Sequence, residues 1–172
     1  MLNVISSLDA LVYCSVIRLQ QRHSLTACFR LISRSGDGQL YIVLAALIYW
    51  NAPLNYQQFT ASLLLAFLIE LPCFLILKAT IKRERPFVQI LQATKIIEPG
   101  DKFSMPSGHT AAAFLVATVM ALYYGEFAGI AFFWATLVGA SRVLLGVHYP
   151  GDIMAGALLG TASGAIAAGL LL

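Results

Sequence analysis

Five apolar runs, at roughly residues 38 to 54, 57 to 78, 107 to 124, 126 to 147 and 151 to 172, dominate this chain. Most are close to the ~20 residues a helix needs to cross the hydrocarbon core of a bilayer, and only the first is short. In lipid the backbone has no water to pair with, so such runs fold as helices. The expected fold is all-α, a polytopic transmembrane bundle of about five spans. A charged fraction of 11% over 172 residues and a mean hydropathy of +0.80 exclude an ordinary soluble domain.

The first 37 residues are different. Asp9, Arg18, Arg22, Arg30 and Arg34 sit among apolar neighbours, a pattern expected of amphipathic helices lying in the membrane interface. The alternative, a first span over residues 4 to 17, is weakened by Asp9 and by its length. Residues 1–37 are therefore read as an interfacial segment and 38–172 as a single transmembrane core. A cleavable signal peptide is not expected, because no Lys or Arg precedes the first apolar stretch. Cys14, Cys28 and Cys73 have no paired spacing and read as small hydrophobes.

Threading the runs alternately through a bilayer places the N-terminal segment, the long polar loop 79–106 and the turn 148–151 on one face. Trp50, Tyr123 and Tyr124 fall at the other, where amphipathic aromatics are expected. All 11 Lys and Arg lie on the first face, which by the positive-inside rule would be cytoplasmic.

Three polar clusters converge there. Lys78 and Arg85, seven residues apart, share a face if the helix continues through both; Lys82 and Arg83 are left as solvated or headgroup contacts. Pro106, Ser107 and Gly108 open the third span, where Ser107 can cap the helix and Gly108 lets an anion approach its unpaired N–H groups. His109 follows directly, and capping does not account for it. Ser141 and Arg142 precede His148 and Asp152, which are four apart. A carboxylate on one imidazole nitrogen fixes the tautomer and makes the other nitrogen more nucleophilic. Arg142 lies about 120° round an ideal helix from His148, so the two meet only if the chain bends near Gly146.

Three cations, one helix N-terminus and no carboxylate cluster suit a phosphate dianion better than a divalent metal. No metal or other cofactor is expected. One His can attack phosphorus while the other protonates the departing oxygen.

"KATIKRERP" from Lys78, "PSGH" from Pro106 and "SRVLLGVHYPGD" from Ser141 resemble, in order and spacing, the three-part signature of the type 2 phosphatidic acid phosphatase superfamily. That signature is shared with vanadium haloperoxidases; the five spans favour the membrane lipid phosphatase branch. The resemblance implies a metal-free enzyme in which His148 becomes phosphorylated, Asp152 orients it, and His109 is the general acid. It further implies that Lys78, Arg85, Ser107, Gly108 and Arg142 bind the phosphoryl oxygens. Many relatives have six spans, one more than is read here.

The expected substrate is a lipid phosphate entering sideways from the bilayer: undecaprenyl pyrophosphate, preferred on family analogy, or phosphatidylglycerol phosphate, phosphatidate or a lipid A phosphate. A phosphotransferase using the same intermediate is the near alternative. A non-enzymatic transporter is the remote one, because its polar residues would be spread through the depth of several spans. No nucleic-acid partner is expected. Bacterial relatives often carry this site on the outer face of the plasma membrane. Glu70, alone within the second span, is read as a partner of the site or a helix contact, and Gly156, Gly160 and Gly164 as a packing stripe.

Overall fold

A computed structural model of the chain describes residues 2–21, 23–51, 55–91 and 93–172. Its main helices are α1 (Leu2–Ile17), α2 (His23–Ser35), α3 (Gly38–Asn51), α4 (Tyr56–Ile81), the short α5 (Pro86–Gln89), α6 (Gly108–Tyr123), α7 (Ala128–Leu144) and α8 (Pro150–Leu171). Three helical segments, Tyr56–Gln89, Gly125–Leu144 and Pro150–Leu171, are long and apolar enough to cross a membrane, while α3 and α6 are apolar but shorter.

Many large apolar side chains face outward from the bundle, while small residues line much of the contact between α6 and α8. Leu64, Leu68, Leu75, Ile130, Phe133 and Leu158 are exposed, whereas Ala111, Ala113, Ala117, Gly156 and Gly160 are buried. Without a hydrophobic drive between spans, close backbone approach and van der Waals packing hold such helices together. The stripe on α8 shows this directly. A side chain at Gly160 would run into the carbonyl of Ala111, and one at Gly156 would lie 2.5 Å from the carbonyl of Ser107. The stripe thus seats α6 against α8 and sets the height of Ser107, Gly108 and His109 against the start of α8.

α1 packs on α7 and α8, with Tyr13 fully buried against the ring of Tyr149. α2 packs on α7. At the far end Phe59 meets the rings of Tyr123 and Tyr124, and Trp50 is exposed. All three cysteines are free and exposed.

Candidate active site

α7 stops at Leu144, and Gly146 turns the chain at φ 82°. Only glycine suits that position twice over: the conformation disfavours a side chain, and one would collide with the carbonyl of Thr94. The bend that Arg142 and His148 require is therefore present. Val147 then donates its N–H back to the carbonyl of Arg142 at 3.2 Å. Arg142 is buried, and its guanidinium donates to Ser33 Oγ of α2 at 2.6 Å, while its Nε has no partner.

His148 is 2% exposed. Burial, with the charges of Arg142 and Arg85 adding to it against the opposing pull of Asp152, lowers its pKa from 6.5 to about 4, so the ring is neutral at physiological pH. Among the described residues no hydrogen bond to Nε2 is present, and Nδ1 is buried without a hydrogen-bond partner. Asp152 Oδ2 lies 3.5 Å from Nδ1, an ionic approach longer than a well-formed hydrogen bond. The same oxygen accepts the N–H of Tyr149 at 2.8 Å in a capping box that starts α8. Asp152 thus holds the turn carrying His148 as well as facing its ring.

The helix expected to run from Lys78 through Arg85 does not. It ends at Ile81, Lys82 takes a left-handed conformation, and Arg85 is extended before Pro86, as the residue preceding a proline prefers. The two cations meet nonetheless. Lys78 Nζ reaches Asp101 Oδ2 at 2.6 Å, and Arg85 reaches Asp101 Oδ1 at 2.8 Å. Burial tends to raise the pKa of Asp101, but these two cations outweigh it and hold the carboxyl below its ordinary value. Arg85 also donates to the carbonyl of Val147 at 2.7 Å, joining the first cluster to the residue before His148.

Ser107 begins α6 but its hydroxyl makes no cap; it accepts from Thr110 at 2.9 Å. Its N–H donates to the carbonyl of Asp152 at 3.1 Å, so that N–H is not part of an open anion cradle. Gly108 faces the Phe74 ring, 3.1 Å from where a side chain would begin. His109 Nε2 lies 2.9 Å from Asp37 Oδ1. A cavity of about 510 Å³, within the range of small-molecule sites, is lined by His109, Arg142, Arg30, Ser33, Arg34 and Asp37 among others.

Sequence reasoning missed four residues. Arg83, expected to be solvated, is instead paired through one nitrogen with Asp9 at 2.8 Å and Asp152 at 2.9 Å, and lies 4.2 Å over the Tyr149 ring. Asp9, taken for an interfacial charge, is buried and also accepts the N–H of Gly151 at 2.8 Å. Asp37 and Asp101 complete the four. Glu70 is buried in α4 with no ion pair among the described residues.

The PAP2 superfamily profile matches residues 55–171, more than half of the chain and all three clusters. The chain belongs to the PAP2 superfamily. Among relatives of this PAP2 chain, the bacitracin transport permease protein BcrC of Bacillus licheniformis is 29% identical over 124 residues, covering 72% of this chain and 61% of its own length. The chain therefore spans less than two thirds of that relative. An undecaprenyl-diphosphatase of Sulfolobus acidocaldarius is 28% identical over 148 residues, 85% of this chain and 70% of that one. The crystal structure of Aquifex aeolicus LpxE superposes with a TM-score of 0.79 at 27% identity, over 91% of this chain and 92% of that one. A transmembrane PAP2-type phosphatidylglycerolphosphate phosphatase from Bacillus subtilis shares the fold at TM-score 0.79 and 23% identity, over 98% and 86% of the two chains. This PAP2 chain is thus an integral membrane protein of helical-bundle fold.

Proposed function

We propose that this chain is a membrane-embedded lipid phosphatase that hydrolyses a phosphomonoester or pyrophosphate through a phosphohistidine at His148. One observation carries the reading. The polar cavity at His109 and Arg142 shares Asp37 and His109 with a second cavity that also includes Tyr41 and Phe67. Those two rings in turn line an apolar groove between α3 and α4. Polar and apolar cavities thus adjoin through shared lining residues, an arrangement suited to the charged head and apolar tail of an amphiphilic phosphate.

In this scheme Lys78, Arg85 and Arg142 neutralise the phosphoryl oxygens, and Ser107 and Gly108 shape their seat. Lys78 and Arg85 exchange Asp101 for the substrate. His148 Nε2 attacks phosphorus, Asp152 stabilises the positive charge that develops on the ring, and His109 protonates the leaving oxygen. His109 then takes a proton from the water that releases phosphate. This donor set is cationic, so the chemistry is routed through positioning and charge rather than through a metal. An acceptor other than water would turn the same intermediate to phosphotransfer.

Purified protein offered a panel of lipid phosphates should release inorganic phosphate from at least one, with none released by His148→Ala. Transfer of the label to a second lipid without free phosphate would replace hydrolysis by phosphotransfer; no cleavage of any member would overturn the reading. The name of the Bacillus licheniformis relative favours a transport reading. Phosphate release in detergent, where no compartments exist, separates the two. Lys78, Arg85, Arg142, His109 and His148 lie at one end of the bundle rather than through its depth, which supports the enzyme.

We place the protein in the plasma membrane with the site on the outer face, where a polyprenyl carrier would present its phosphate. Lys95→Cys labelled by an impermeant thiol reagent in intact cells of a strain lacking the three native cysteines supports this; labelling only after lysis would reverse it.

A further inference from the structure

We propose that the polar face of α2 forms a second phosphate subsite beside the reacting phosphoryl group, with Arg30 and Arg34 as its ligands, and that the preferred substrate class is a lipid diphosphate. The proposal rests on the phosphatase reading and adds what that reading leaves open.

Residues 30, 33, 34 and 37 recur at helical spacing, and all four line the cavity that contains His109 and Arg142. The amphipathic segment therefore turns its polar face to the site rather than only to headgroups. Ser33 on this face holds the buried guanidinium of Arg142, which fixes the helix to the phosphoryl seat. The side chains of Arg30 and Arg34 have no ion pair or hydrogen bond among the described residues. Two carboxylates share the cavity, and each contacts a residue other than these arginines: Asp37 meets His109 at 2.9 Å and Glu98 meets Lys95 at 2.7 Å. Two guanidinium groups without an ion-pair partner among the described residues thus line the cavity from one wall.

Position relative to His109 decides what they would bind. His109 delivers its proton to the leaving oxygen, so whatever lies beyond that oxygen sits on His109's side of the cavity, where α2 forms the wall. A monophosphate substrate puts an uncharged alkyl carbon there, which gives two cations nothing to pair with. A diphosphate puts a phosphate group there, whose charge grows as the bond breaks and which planar guanidinium groups bind in bidentate fashion. His148 Nε2 bonds to the terminal phosphorus and the bridging P–O bond breaks. Its electron pair stays on the bridging oxygen, which takes the proton from His109 and departs as lipid monophosphate. Water then attacks the phosphohistidine, gives one proton to His109, and releases inorganic phosphate with His148 restored.

The test compares one polyprenyl chain in its monophosphate and diphosphate forms, with wild type and the Arg30→Gln/Arg34→Gln double variant in nanodiscs of neutral lipid. In wild type kcat/KM should favour the diphosphate at least tenfold, and the double variant should lose at least ten times more on the diphosphate than on the monophosphate. Equal losses, or none, would overturn the subsite while leaving the phosphatase reading standing. A loss that appears only when anionic lipid is added, and equally on both substrates, would assign the arginines to headgroups and also overturn it. Calorimetry with inorganic pyrophosphate and phosphate gives a readout independent of turnover. Wild type should bind pyrophosphate at least tenfold more tightly and the variant should lose that margin; equal binding in wild type would refute the subsite. Absence of phosphate release from every lipid, with the pyrophosphate margin intact, would instead sink the phosphatase reading.

Discussion

Arg83 and Asp152 form an ion pair of 2.9 Å in which the carboxylate is fully buried, and the same arginine nitrogen reaches Asp9 on α1 at 2.8 Å. One guanidinium therefore ties the N-terminal helix to the carboxylate facing His148. Removing a single partner from a buried pair leaves an uncompensated charge, at a cost of roughly 3–5 kcal/mol. Arg83→Ala is expected to lower kcat by about 10- to 100-fold, and Arg83→Lys to recover part of it. Because Arg83 acts as a positioning residue through Asp152, the acid limb of the pH–rate profile should move as well. A loss of folded protein with an unchanged profile in the surviving fraction would reduce Arg83 to a structural role.

Asp101 occupies both Lys78 and Arg85, two cations assigned to the phosphoryl group. A carboxylate on an anion site competes with the anion. Asp101→Asn should therefore tighten inhibition by vanadate, which mimics the five-coordinate phosphorus, by about three- to tenfold, an effect on the order of 1 kcal/mol. Weaker inhibition would mean instead that Asp101 holds the cations in place for substrate.

His148 sets a pH window. Its folded-state pKa is depressed from 6.5 to about 4, chiefly by burial. Below pH 6.5 the unfolded chain takes up a proton that the folded one refuses, so this contribution to stability is complete above 6.5 and is lost as pH falls towards 4. Thermal unfolding in detergent should show a fall in midpoint across that interval, and His148→Asn should flatten it. Unchanged curves for the two proteins would contradict a buried neutral imidazole.

Much of the candidate site was legible because its residues carry spacing. His148 and Asp152, four apart, and the run Pro106 to His109 announce chemistry locally, and the glycine stripe on α8 announces close packing. Arg83, Asp9, Asp37 and Asp101 carry no such pattern. Arg83 and Asp152 are 69 residues apart, and a charge in a loop reads as solvated until the fold brings its partner to it. The faint signal was Asp9, an isolated carboxylate in an apolar run that a purely interfacial helix did not need. The helix from Lys78 to Arg85 failed as an expectation because a left-handed Lys82 and the proline after Arg85 end it. Convergence survived because Asp101 gathers both cations at the turn.

The phosphorylated intermediate is the most direct test. Purified protein mixed briefly with a lipid phosphate that it turns over, quenched in alkali and digested, should yield a peptide carrying one phosphoryl group on His148, absent from His148→Ala. Turnover with no phosphoryl group on His148, or with the group on another residue, would contradict the mechanism.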